Sequence, residues 1–183
     1  MSPVSYTLAG LHSDWEFRDK NYSAASSTIT RPRPLRTRYL KHLPDFGDVE
    51  AEERAVAFAT TYPNIHQALA FLISWPALEK AASLVQQRST ELDGDHYEIL
   101  TPAVNAVSGK HPLAATLILR AMIDFSLSRA RSSRYRHAAR HLAECESLAA
   151  EVGNFGELET HELYVARLQK LHGKKRSFWN LVV

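Results

Sequence analysis

Residues 112–153 read PLAATLILRAMIDFSLSRARSSRYRHAARHLAECESLAAEVG. The first part, Leu113 to Ser128, is apolar on nearly every side, through Leu117, Ile118, Leu119, Met122, Ile123 and Phe125. A helix without a polar face has to be covered by other elements, so this one belongs at the centre of the fold. Before its C-terminal end it carries only two charges, Arg120 and Asp124, four residues apart and so on one face. Ser132 or Ser133 then offers a cap for a second helix, which runs to about Val152 and stops at Gly153. Around the turn between the two helices lie Arg129, Arg131, Arg134, Arg136, His137, Arg140 and His141, with Asp124 the one nearby acid.

Working outward, the same habit recurs. Asp48 can cap a helix holding Val49, Ala55, Val56 and Phe58. Pro63 or Asn64 restarts the chain, and Ile65, Leu69, Leu72 and Ile73 share an apolar face. Trp75-Pro76 ends that helix and opens the next, since proline is tolerated at a first helical position. Asp93-Gly94 is a turn, with Asp95 as the cap of a helix ending at Gly109. His111-Pro112 repeats the Trp75-Pro76 arrangement roughly 36 residues later, near the ~34-residue period of helix-pair repeats. Glu159 or Thr160 starts a last helix through Leu163, Val165, Leu168 and Leu171, and Gly173 ends it. The expected class is therefore all-α: antiparallel helix pairs in a small solenoid-like, tetratricopeptide-like array, or else an irregular bundle.

Residues 1–34 lack a sustained period and end in Arg31-Pro32-Arg33-Pro34, which forbids helix there. They read as a poorly ordered segment, and residues 35–183 as a single helical domain that begins with Leu35, Tyr39, Leu40 and Leu43 at helical spacing. A length of 183 residues suffices for one domain with a proper core. A net charge of +2 is too small to argue nucleic-acid binding without local clustering. The single cysteine, Cys145, excludes an internal disulfide and suits a reducing compartment. The longest apolar run is broken by Arg120, so no membrane span is expected, and the chain reads as cytoplasmic.

From about Leu35 to Trp179 the sequence resembles the C-terminal part of a bacterial family known as domain of unknown function 6880. The likeness rests on Tyr39-Leu40-Lys41-His42-Leu43-Pro44-Asp45-Phe46, on His111-Pro112-Leu113-Ala114-Ala115-Thr116, and on Arg120-Ala121-Met122-Ile123-Asp124. Its strongest block is Arg129-Ala130-Arg131-Ser132-Ser133-Arg134-Tyr135-Arg136-His137 and on to Leu142. The tail Leu171 to Trp179 matches the family's His-Gly-Arg-Lys-Ser-Gly-Phe-Trp ending with Lys174 in place of arginine and without the second glycine. The resemblance implies that members are longer, that residues 1–34 fall outside it, and that no activity, cofactor or catalytic residue is available to carry over.

The residues themselves offer one concentrated surface. Arg131, Arg134, Arg136, Arg140 and His141 could meet carboxylates or phosphates, and Lys174, Lys175, Phe178 and Trp179 in the tail could add cations and an apolar anchor. The competing view of the tail is that its aromatics fold back and close the core. Arg120, Asp124 and Arg129 are expected to form a structural polar network. His137, His141 and Cys145 follow one flank at i, i+4 and i+8, but Cys145 falls beside the apolar face, so metal binding is not expected. No glycine-rich phosphate loop, Gly-x-Ser-x-Gly elbow, Cys-x-x-Cys or His-Glu-x-x-His occurs, and no cofactor is expected. The sequence thus points to a non-enzymatic interaction module. Its partner would be an unknown protein or a missing N-terminal region. The alternatives are a nucleic-acid-binding module using the same arginines, and the C-terminal fragment of a larger enzyme without its active site. Oligomeric state is left open.

Overall fold

The structure, a computed structural model, describes residues 47–182, with side chains from Ala51 onward. The expectations for residues 1–34 and for the helix beginning at Leu35 lie outside the described residues. Among the described residues there are eight α-helices and no strand: α1 (Gly47–Thr61), α2 (Ile65–Ser74), α3 (Leu78–Gln87), α4 (Tyr97–Val107), α5 (Pro112–Ser128), α6 (Tyr135–Ala149), α7 (His161–His172) and α8 (Arg176–Trp179). Single 3₁₀ turns at Ser89–Glu91 and Ser132–Arg134 lead out of α3 and into α6.

The all-α class follows from the patterning, and α5 is its centre. Eleven of the seventeen residues of α5 are buried, and α3, α4 and α6 all pack on it. Pro112 opens it at a position where no amide donor is needed. Its two buried hydroxyls are satisfied within the helix: Thr116 donates to the Pro112 carbonyl (2.9 Å) and Ser126 to that of Met122 (2.8 Å). Arg120 is the one charged side chain this helix buries, at 6% exposure.

The N-terminal helices are tied by polar clasps at their ends. Asn64 caps α2, its Oδ1 accepting from the amides of His66 (3.0 Å) and Gln67 (3.2 Å). Trp75 Nε1 donates to Glu52 Oε1 (2.8 Å), joining the end of α2 to α1. Arg88, just past α3, reaches back to the carbonyls of Tyr62 (2.7 Å) and Pro63 (2.8 Å) and pairs with Glu91.

Several boundary expectations are corrected: α1 begins at Gly47, so Asp48 lies inside it and does not cap it, and α6 ends at Ala149 with Ala150 as its cap, short of Val152 and Gly153. α3 begins at Leu78, two residues beyond Pro76, because Ala77 first donates back to the Leu72 carbonyl and stands as the cap residue. Asp95 does not cap α4: the Asp93 side chain accepts the Asp95 amide (3.0 Å) in a local turn, and His96 occupies the cap position. Neither Ser132 nor Ser133 caps α6, since both are consumed in the 3₁₀ turn that precedes Tyr135.

The Asp93-Gly94 turn packs directly on the backbone of α5. A Cβ on Gly94 would sit 2.2 Å from the Ala121 carbonyl oxygen and 2.7 Å from the Met122 Cα, so only glycine lets the α4 entry approach. Gly94→Ala is expected to destabilise the protein by about 1–3 kcal/mol, the usual cost of overpacking, read as a lower urea midpoint with an unchanged slope.

The buried His66 secures the same turn. Its Nε2 accepts the Asp93 amide (3.0 Å), and its ring lies 4.3 Å from that of His96. Burial, then the neighbouring His96, holds the His66 pKa below its ordinary value, against smaller opposing effects of Asp93 and Glu98. The neutral ring is the one that fits, so its stability is present above pH ~6.5 and is lost as pH falls towards the depressed native value. Unfolding free energy should therefore drop as pH falls below ~6.5, by no more than ~1.4 kcal/mol per unit for each such histidine. The slope should flatten in His66→Gln, as measured by urea unfolding across pH.

Candidate functional site

The arginines gathered around the α5–α6 turn divide into committed and free side chains. Arg134 is committed. Its Nη1 pairs with Asp95 Oδ1 at 2.9 Å, and its guanidinium lies over the rings of Tyr97 (4.9 Å) and Phe125 (5.5 Å), bracing α4 and α5 against the start of α6. Arg129 and Arg131 are exposed on the turn, where Ala130 adopts a left-handed conformation. Arg136 and Arg140 are exposed on α6, and neither has an acidic partner among the described residues; Arg140 only approaches His137 Nδ1 at 3.4 Å.

His141 does not add to this charge. Burial, reinforced by Arg140 and His137, lowers its pKa to about 4, so it is neutral near pH 7. Its Nδ1 is buried without a hydrogen-bond partner, and Glu144 is no closer than 3.8 Å.

The tail is placed differently from its proposed role as an apolar anchor. Phe178 is fully buried, edge-on to Tyr135 at 5.9 Å and to Trp179 at 5.0 Å, so it closes the start of α6 and is unavailable to a partner. Trp179 is half-buried, with Nε1 donating to the His172 carbonyl at 3.0 Å. Lys174 is exposed and Lys175 stands at the cap of α8. The stop at Gly173 and the short α8 turn the two aromatics inward, where their apolar area is worth more than on the surface.

What these placements leave is a groove of about 600 Å³ between α6 and α7, lined on one side by Arg136, Ala139, Arg140 and Glu146, and on the other by His161, Glu162, Val165 and Gln169. The two helices are antiparallel: the Glu146 charge reaches His161 at the start of α7, while Phe178, just beyond its end, touches Tyr135 at the start of α6. Leu142, Ala143 and Ala166 give the groove an apolar floor, and Leu181 and Val182 border it. Its charges are sorted along its length, with Arg136 and Arg140 near the start of α6 and Glu146 and Glu162 at the other end. Glu162 is held below the usual carboxylate range by bonding to its own amide and to Thr160 at the α7 N-terminus.

Behind this groove lies the polar network. Arg120 Nη1 donates to the Glu159 carbonyl (2.7 Å), and its guanidinium sits over Tyr164 (4.5 Å) and Phe155 (5.7 Å). The Tyr164 hydroxyl donates to Asp124 Oδ1 (3.2 Å) and approaches the Arg120 carbonyl (3.3 Å). Arg167 bridges Asp124 (3.3 Å) and Glu159 (3.1 Å). Arg120 and Asp124 therefore do share a network, but through Tyr164 and Arg167 instead of a direct pair. Arg129 makes none of these bonds, because it lies past the end of α5. Sequence reading missed Tyr164, Arg167 and Glu159. The one available signal was Thr160, whose Oγ1 accepts the Leu163 amide and so sets the phase of α7.

The Cys145 thiol is fully buried and pushed up to about 12, chiefly by burial, so it supplies no thiolate near neutral pH. Among the described residues no three His, Cys, Asp or Glu side chains stand together in a way that could hold a metal ion. None of the described helices is long and apolar enough to cross a membrane.

If the polar network is one unit, its members will not contribute independently. Tyr164→Phe and Asp124→Ala should each destabilise the fold, and their double mutant should fall short of the sum by about 0.5 kcal/mol or more. Chemical denaturation of all four proteins closes the cycle, and strict additivity would remove the coupling.

No curated protein and no solved structure is similar enough to this chain to count as a match. The family match runs from Asp14, so it takes in residues 14–34, which the reading of the sequence had left outside the resemblance. With residues 14–181 matched, the chain belongs to the family of unknown function DUF6880.

Proposed function

We propose that this protein is a non-enzymatic helical interaction module whose working surface is the α6–α7 groove, and that it docks an apolar protein segment bearing carboxylates. The observation that carries this reading is the pair Arg136 and Arg140. Both are exposed beside an apolar floor, with no acidic partner among the described residues. Arg136 also stands in the first turn of α6, where the helix dipole disfavours cations and no acid offsets it, and Arg140 follows one turn later on the same face. The fold gains nothing visible from them, whereas a partner carboxylate would gain paired hydrogen bonds from each guanidinium. The buried, reduced Cys145 is in keeping with a cytoplasmic setting.

A second reading, nucleic-acid binding, draws on the exposed Arg129, Arg131, Arg136 and Arg140 around one turn. Against it, Glu146 and Glu162 stand in the same groove, and Arg134 is already paired with Asp95.

Fluorescence anisotropy with a labelled amphipathic peptide, Glu-rich in its first turn, Leu and Ala along one face and Lys-rich in its last turn, tests the proposal. The full chain should bind it, and Arg136→Glu with Arg140→Glu should weaken binding about tenfold or more with an unchanged circular dichroism spectrum. No binding by the wild-type chain sinks the reading. Tight binding to short DNA or RNA, with a log–log salt slope of about 0.9 per phosphate neutralised, would favour the second one.

A further inference from the structure

Resting on that reading, we propose that the groove takes its partner in one direction only: an amphipathic helix of about three turns, running parallel to α6, with carboxylates in its first turn and cations in its last. The argument is the sorting of charge along the groove. Arg136 and Arg140 mark one end, and Glu146 and Glu162 mark the other, with Leu142, Ala143, Val165 and Ala166 between them. From Arg136 to Glu146 the wall spans roughly 15 Å at ~1.5 Å per residue, which sets the separation of the guest's charged ends at about three turns.

The polarity of the guest follows from its own physics. A helix with acids at its N-terminus and bases at its C-terminus is stabilised by its dipole, and one with the reverse pattern is weakened. Only the parallel orientation to α6 brings that better helix into register with both ends. In the opposite orientation its lysines would face Arg136 and Arg140, and its glutamates would face Glu146 and Glu162. Like charges set together in this way are the means by which interfaces reject a wrong alignment. The Glu162 carboxylate is partly engaged at the α7 N-terminus, so Glu146 is the freer acid at that end.

Paramagnetic labelling of the same probe peptide, read on the amides of the full-length isotope-labelled chain, tests the direction. A spin label at the peptide N-terminus should broaden Gln169 and Lys170 most, and a label at its C-terminus should broaden His161 and Glu162 most. The variant Arg136→Glu, Arg140→Glu, Glu146→Arg, checked for an unchanged amide spectrum elsewhere, should bind the peptide with that pattern reversed. If both labels broaden both ends alike, or if the variant keeps the wild-type direction, charge sorting does not orient the guest and the inference is overturned while docking in the groove stands. If the peptide neither binds nor shifts the groove amides, the inference fails together with the docking reading on which it rests.

Discussion

Arg120 is a full cation carried into the core by the helix on which the other elements pack. A buried guanidinium is tolerated only where hydrogen bonds and compensating charge come with it. α5 cannot supply them, because its other buried positions are apolar or small hydroxyls already bonded to their own helix. Partial compensation comes from the last third of the described chain: the Glu159 carbonyl, which takes one hydrogen bond from Nη1, and the rings of Phe155 and Tyr164, while Nε and Nη2 have no hydrogen-bond partner among the described residues. Two guanidiniums and two carboxylates make the cluster neutral as a whole. The contacts of Arg120 tie α5 to Phe155 and Glu159 in the loop before α7, and Tyr164 ties α7 to Asp124.

The groove lies between two helices that meet α5 in different ways. α6 packs along α5 through Ala138, Leu142, Cys145 and Leu148, a stripe of small and medium apolar residues. α7 is held to α5 at a few points, by Tyr164 and Arg167, and buries only Tyr164 and Leu168. Val165 and Ala166 are left facing Ala139 and Ala143 across a gap instead of meeting a ridge of larger side chains. Short side chains on both walls keep the crevice open, and the exposed Leu163 and Leu171 show how little of α7 the core uses.

The helical class, the central place of α5 and the end of α7 at Gly173 were all legible in the sequence, because each depends on local periodicity or on punctuation by Pro and Gly. The caps were less so. Asp95, Ser132 and Ser133 look like caps in sequence, yet each is used in a neighbouring turn, and that choice depends on how the turn packs on α5. The free pair Arg136 and Arg140 was within reach, but their separation from Arg134 was not, since Asp95, Tyr97 and Phe125 are distant in sequence. Phe178 could be read as an anchor or as core. Only the reversal of the chain at Gly173 decides between them, and that reversal brings it onto Tyr135. Tyr164 and Arg167 were invisible as partners of Asp124, because pairings across 40 and 43 residues leave no periodic trace.

The charge pattern of α6 is the feature that folding alone does not explain. Its opening turns carry Arg136, His137 and Arg140, at the end of the helix where the backbone already presents partial positive charge, and its later turns carry Glu144 and Glu146. For the charges in its terminal turns, Arg136 and Glu146, the opposite order would suit the helix better by a few tenths of a kcal/mol each. Arg134 offsets its own cost through Asp95 and two aromatic rings, and His141 avoids it by staying neutral. Arg136 and Arg140 do neither within the described residues. An isolated helix would not gain from this arrangement. A helix that presents cations at one end of a groove and acids at the other, to a partner sorted the opposite way, recovers the cost when the partner binds.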